Sequence, residues 1–345
     1  GDESNGWTAY SRPHFRMGHF ELETVGTPVG CAWRKNLWQA ELTGTLTTDR
    51  GEFTLRHFTH AGDMAIVTEL TASEGEQVLG WTWHPVEAVT TRGGYPTDPA
   101  GLEKFVRRYG DHYRESLKPK PANPPGRSEQ RGDMDLWIQD LTAGGQYATA
   151  WVDSGEGPVR RHIVTIANRY PDSTAADQAE TDLRKFMTVD SDAWLEAHRA
   201  WWHAYYPRSF VTIPDTALET DYWRTIYRYG CCSRAGRYYV DTSGLWFQGA
   251  QWPYTTNDWN TQSAHWAVYT ANRLEQGRSL VDRLHDRREE LIKAVRPAEW
   301  QDDSAYLPIA VAWDMRGSRE GDMRYYDLVG NLPWAMHNMW WQYRY

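Results

Sequence analysis

What most constrains this chain is a change of hydrophobic period near residue 172. Before it, apolar and polar residues alternate, as on a half-buried strand; after it, apolar residues recur every three or four, as on a helix. The alternating or β-rich runs are Phe20–Val25, Trp38–Thr47, Glu52–Phe58, Met64–Leu70, Gln77–Trp83, Met134–Leu141, Gln146–Val152 and Arg160–Ala167. Turn residues such as Asp49-Arg50-Gly51 and Ala143-Gly144-Gly145 bound them. Eight short strands at this spacing predict a β-sandwich. A helical stretch at Leu102–Leu117 and a polar segment at Lys118–Arg131 interrupt the series as an insertion.

Beyond the change, Thr174–Met187 reads as a short helix, with Ser191 or Asp192 as N-cap of the next. In that next helix Trp194, His198, Trp201 and Tyr205 form one stripe, and Pro207 ends it. Leu218, Tyr222, Ile226 and Tyr229 make another stripe; Thr261–Leu274 and a segment carrying Leu280, Leu284, Leu291 and Val295 follow. Strands first and helices after is an α+β order. The expected organisation is a sandwich over 1–172, a helical linker over 173–212 and helical hairpins over 213–345.

Composition narrows the function. A net charge of −9 argues against nucleic acid, whose phosphates call for a basic surface, and against an anionic membrane surface. No apolar run approaches the roughly 20 residues of a membrane span. Trp and Tyr number 20 each against 8 Phe. Rings with a polar tip suit surfaces half apolar and half wet, as where the C–H face of a sugar stacks and its hydroxyls are hydrogen-bonded. Cys31, Cys231 and Cys232 read as small buried apolar residues. The histidines lack metal-ligand spacing, so neither metal nor cofactor is expected.

The segment richest in chemistry is 241–277. Its first half is a loop carrying Trp246, Trp252 and Tyr254; Asn257, Asp258, Asn260, Thr261 and Gln262 then crowd onto a helix start. Short amides and carboxylates there can hold several hydroxyls, or a water, in fixed directions. The alternative is that Asp258 or Asn260 caps the helix and Gln262 supports the turn.

The stretch Asn257–Gly277 resembles the Asn-x-Asn-Thr-Glu/Gln helix start, with a following Trp and Asn-(Arg/Leu)-Leu-Glu, of glycoside hydrolase family 95, the α-L-fucosidases and α-L-galactosidases. His198–His203 is similar to the helix that precedes that family's toroid, and Asn331–Tyr345 to a later barrel helix. All three look closer still to a bacterial branch related to that family. The resemblance implies a sandwich followed by an (α/α)6 six-hairpin toroid, here only in part, and a secreted or periplasmic enzyme acting on an oligosaccharide or glycan. It also implies inverting hydrolysis, in which an acid and a base roughly 6.5–9.5 Å apart act on opposite faces of the sugar. Asn260 matches the second asparagine of the motif. Asp258 stands where the first would be, as a base or as a cap. These two are the candidate catalytic residues, and Trp246, Trp252, Trp259, Gln262, His337 and Asn338 are the candidate sugar contacts. The family's acid, in a Ser-Pro-Glu context, and its Asp-Gly-Asn base have no counterpart; both would fall beyond Tyr345. The chain therefore reads as a fragment that hydrolyses nothing alone, with a non-catalytic carbohydrate binder on the same fold as the alternative. A phosphorylase on a related toroid would need a basic phosphate site, and none is visible.

Overall fold

The computed structural model describes residues 17–86, 99–109, 111, 123–142, 144–155, 157–240, 244, 255–311, 315 and 329–345. These fall into two compact units, one within 16–88 and 122–207 and the other within 89–121 and 208–345. Antiparallel strands come first and helices after, an α+β chain.

The first unit is built on β1 (Gly18–Thr24), β2 (Pro28–Asn36), β3 (Glu41–Thr48), β4 (Glu52–Thr59), β5 (Ile66–Ala72), β6 (Val78–Pro85), β7 (Arg127–Arg131), β8 (Met134–Asp140), β9 (Gln146–Ser154) and β10 (Val159–Arg169). Eight of them form one antiparallel sheet, in the order β2-β3-β4-β5-β10-β9-β8-β7, and β1 pairs with β6 as a separate ribbon. Alternation along β10 assigns the two faces. His162 meets the ribbon, stacked on Trp81 with ring centroids 4.6 Å apart, and Phe20 closes on Trp151 at 5.1 Å. Ile163 points the other way, into a core with Leu136, Ile138, Ala148 and Ala150.

Helix α2 (Ala175–Met187) packs on that second face through Ala175, Ala176, Ala179, Leu183 and Phe186, all buried. Small residues on its inner stripe let the helix sit close to the strands. Helix α3 (Ser191–Tyr205) follows, and its N-cap is Asp190, whose carboxylate accepts from the Asp192 amide at 2.9 Å. The cap therefore lies one residue before Ser191 and two before Asp192, the two expected positions. Its buried stripe is Trp194, His198, Trp202 and Tyr205, so Trp202 replaces Trp201. His198 Nε2 donates to the Gln39 carbonyl at 2.9 Å, Tyr206 donates to the Leu37 carbonyl at 2.7 Å, and Arg199 grips Glu41 at 2.5 and 2.9 Å. Those bonds tie α3 to the β2–β3 hairpin.

Two strands of this unit lie outside the expected set. β2 is exposed along almost its whole length, so it has no inner and outer face to alternate. β7, Arg-Ser-Glu-Gln-Arg, is a polar edge strand held by its ladder to β8. The expected burial of the cysteines also fails: Cys31 sits exposed on β2, and Cys231 and Cys232 are half-buried.

The second unit contains α1 (Pro99–Tyr109), α4 (Thr216–Cys232), β11 (Thr255–Thr256), α5 (Asn260–Ala264), α6 (Trp266–Thr270), α7 (Leu274–Asp286), α8 (Arg288–Lys293), β12 (Ala310–Val311) and α9 (Asn331–Arg344). Asp215 caps α4 by accepting from the Ala217 and Leu218 amides. Tyr239, Leu280, Leu284, Leu291, Leu307, Val311, Met315 and Ala335 make its core.

The single helix expected over Thr261–Leu274 is two five-residue turns, α5 and α6. His265 causes the break. Its ring Nδ1 takes the Thr261 carbonyl at 2.7 Å, the acceptor a continuing helix would offer to the His265 amide, which bonds to Gln262 instead. At the end of α6, Asn272 adopts φ 54° and the Arg273 amide reaches back to the Val268 carbonyl at 2.7 Å. That is a Schellman-type stop, with asparagine tolerating the left-handed conformation.

Candidate functional site

The short ladder of β11 with β12 pairs Thr255 with Val311 and Thr256 with Ala310. Immediately beyond it the chain makes a three-residue tip. Asn257 before the tip and Thr261 after it are each 1% exposed, whereas Asp258 is exposed, Trp259 is 56% exposed and Asn260 is half-buried. An indole left over half in water, between a carboxylate and an amide, is what a wet aromatic binding surface presents.

Buried polar side chains pin the base of the tip. The Thr261 hydroxyl donates to the Thr256 carbonyl at 2.7 Å, and Gln262 Nε2 donates to the Asn257 carbonyl at 2.6 Å. Asn257 is held in turn: its amide donates to the Ile309 carbonyl at 2.6 Å and its Nδ2 to the Pro308 carbonyl at 3.2 Å. Helix α9 reaches the same place. Gln262 Nε2 also donates to the Asn331 carbonyl at 3.3 Å, Asn338 Nδ2 donates to the Gln262 carbonyl at 2.9 Å, and Asn331 Nδ2 to the Leu307 carbonyl at 3.4 Å. Among the described residues, Gln262 Oε1 and Asn338 Oδ1 are buried acceptors without a partner. Buried amides satisfy here the backbone groups that no strand ladder reaches.

Rings fill the space between α5, α6 and α9. Trp266 meets Trp334 and Trp341 at 6.1 and 5.6 Å, and Tyr269 meets Trp341 at 6.0 Å. Trp334, Asn338 and Trp341 do share one face of α9, as their spacing predicts. His337 points elsewhere: it is exposed and lies 4.4 Å from the Trp341 ring. Among the described residues, no hydrogen bond or ring contact joins it to the tip.

Burial sets the local electrostatics. It lowers the His265 pKa to about 4, against the opposing Thr261 carbonyl, so the ring is neutral. It raises the Tyr269 hydroxyl to about 12, with Asn338 acting the other way, and holds Tyr239 well above the usual tyrosine range. His265, Tyr269 and Tyr239 are thus neutral near pH 7. Asp258 is the one carboxylate side chain in residues 255–274 and 329–345. Within those two segments a single carboxylate supplies either an acid or a base, not the pair that glycoside hydrolysis uses.

The eight sequence-predicted residues therefore separate. Asp258, Trp259 and Asn260 form the solvent-facing tip; Gln262 and Asn338 are buried beneath it; His337 stands apart; Trp246 and Trp252 lie outside the described residues. The capping alternative for Asp258 or Asn260 is not what forms, since Trp259 occupies the N-cap and no side chain caps the helix. A five-residue turn also offers no helix dipole to hold an anion. The sequence reading missed Asn331 and gave Asn257 no role of its own. Their signal was an asparagine at each point where the chain enters a helix.

Against known proteins, the likeness is one of fold. No sequence-family model and no curated protein sequence matches the chain. Among solved structures, a protein assigned as a kojibiose phosphorylase from the human microbiome matches with a TM-score of 0.61 at 9% identity, over 95% of this chain and 47% of that one. A bacterial glucoamylase complexed with acarbose matches with a TM-score of 0.43 at 9% identity, over 88% of this chain and 44% of that one. The chain spans about half the length of either.

Proposed function

We propose that this chain is part of an inverting, secreted or periplasmic glycoside-cleaving enzyme related to the α-L-fucosidase and α-L-galactosidase family. Its substrate is an α-linked fucose- or galactose-type sugar, and its helical unit forms part of a six-hairpin toroid. One observation carries the reading: Asp258 and Trp259 stand in solvent, with Asn260 half-buried beside them, on a base of buried Asn257, Thr261 and Gln262. Trp259 stacks the sugar's C–H face, and Asp258 and Asn260 take hydroxyls or hold a water. Trp246 and Trp252 supply further ring surface. The likeness in fold to a phosphorylase supports a carbohydrate-processing role and makes phosphate a nucleophile to try beside water.

The second reading, a non-catalytic carbohydrate binder, is favoured by one fact: Asp258 has no second carboxylate near it in the tip or in α9. Saturation-transfer NMR with L-fucose, D-galactose and D-glucose tests what both readings share. Transfer to at least one sugar is expected; none to any would contradict both. In parallel, the purified chain should release no nitrophenol from aryl α-L-fucosides or α-L-galactosides, with or without phosphate. Release would place a complete acid–base pair within these 345 residues.

A further inference from the structure

We infer that Gln262, together with Thr261, Asn331 and Asn338, acts as a positioning clamp through which helix α9 sets the bearing of Trp259 without touching the sugar. The inference rests on the reading above only for what Trp259 binds. The geometry of the clamp stands on its own.

Two side chains cross the base of the tip in the same sense. Thr261 bonds the carbonyl five residues before it, and Gln262 does the same one residue on, at 2.7 and 2.6 Å. Together they staple Thr256-Asn257 to Thr261-Gln262 and leave only Asp258, Trp259 and Asn260 outside. A tip closed at both ends has few backbone conformations left, so the exposed indole is held at a defined angle. Both staple residues are 1% exposed, which excludes them from direct contact with a ligand on the outside of the tip.

Helix α9 locks the staple. The Gln262 side chain is shared between Asn257, within the loop, and Asn331, 69 residues away; its carbonyl is taken by Asn338, 76 residues away. Both asparagines are also buried, at 3% and 0% exposure. A displacement of α9 must therefore break a bond to Gln262 or carry Gln262 with it. The alternative for Asn338 is a sugar contact, and its complete burial with Nδ2 on a backbone carbonyl speaks against that.

The test labels the chain with 5-fluorotryptophan and follows the ¹⁹F line of Trp259, identified by its loss in Trp259→Phe. Trp300, 57% exposed against 56% for Trp259, serves as an internal reference of equal exposure. One narrow Trp259 line is expected in the native chain. Gln262→Met, which keeps length and loses the N–H donor, should broaden or split it while leaving the Trp300 line alone. Asn338→Leu should act in the same direction and less strongly. Affinity for whichever of L-fucose, D-galactose or D-glucose the native chain binds should fall at least tenfold in Gln262→Met. A residue that merely stabilises the fold would shift the melting temperature and leave the Trp259 line narrow. An unchanged line and an unchanged sugar affinity in Gln262→Met would overturn the clamp. Should Gln262→Met not fold, Thr261→Val removes the other staple at constant shape, and the same two outcomes decide. If the native chain binds no sugar, the functional reading fails while the line shapes still decide the clamp.

Discussion

The sheet unit and the helical unit differ in how their polar side chains are used. In the sheet unit half-buried charges pair around the buried Glu41 and the half-buried Glu69: Arg199 with Glu41 at 2.5 Å, Arg56 with Glu41 at 3.4 Å and with Glu69 at 3.1 Å, and Arg161 with Glu69 at 2.9 Å. Strand ladders satisfy most of the backbone there, so these side chains can serve one another, and His198 and Tyr206 bond backbone carbonyls only where the β2–β3 ladder turns. In the helical unit the amides of Asn257, Gln262, Asn331 and Asn338 bond backbone carbonyls of loops and helix ends. Where ladders stop, side chains take over their work, and the loops they hold become fixed enough to present a site.

The largest effect that separates the units is a core truncation. Leu183, fully buried between α2 and the sheet, should cost about 2–5 kcal/mol as Leu183→Ala. Hydrogen exchange should show that loss in 16–88 and 122–207 only; an equal loss in 208–345 would mean the two cores are not independent. Next comes the charge network. Arg199→Leu removes a bidentate partner from a carboxylate that is 1% exposed, and should cost about 1.5–3 kcal/mol in urea unfolding. A change below about 0.5 kcal/mol would reduce the network to ornament.

In the helical unit the sharpest probe is Gly277. A helical Gly→Ala change ordinarily stabilises by roughly 0.5–1 kcal/mol. Here the added Cβ would lie 2.7 Å from Tyr269 Cε1 and against the Gln342 side chain. Gly277→Ala should therefore destabilise, by about 1–2 kcal/mol once the helix gain is subtracted from overpacking. Stabilisation instead would show that Tyr269 and Gln342 yield freely.

Acid should touch both units, unequally. The folded pKa values of His198 and His265 lie near 4 and that of His57 is lowered, in each case chiefly by burial. These groups are neutral in the fold and bind protons more readily when unfolded. Their contribution is complete above the unfolded value of about 6.5 and is lost as pH falls from there toward 4. With two of the three, the sheet unit should lose protection more steeply over that interval. A flat profile between pH 7 and 4 would contradict the buried, neutral assignment.

How much of this was legible differed in the same way between the units. Strands with one face buried, such as β10, announce themselves by alternation; β2, exposed on both faces, has no pattern to read. The break in the helix over Thr261–Leu274 was hidden because histidine propensity does not reveal that its ring will take the Thr261 carbonyl. The tip itself was visible as a crowd of short polar residues beside tryptophan. Which of them face water was not, because burial of Gln262 depends on Asn331 and Asn338, roughly 70 residues on.

The smallest effect on stability should come from the tip, and there the functional claim is most exposed. Trp259→Ala changes an exposed side chain and Asn260→Ala a half-buried one, and each should stay within about 0.5 kcal/mol of native stability. Titrating native and variant chains with the sugar that shows saturation transfer tests the account directly. The expected result is at least a tenfold weaker dissociation constant in both variants, about 1.4 kcal/mol, at unchanged stability. Native affinity in Trp259→Ala would contradict the assignment of the sugar site to this tip.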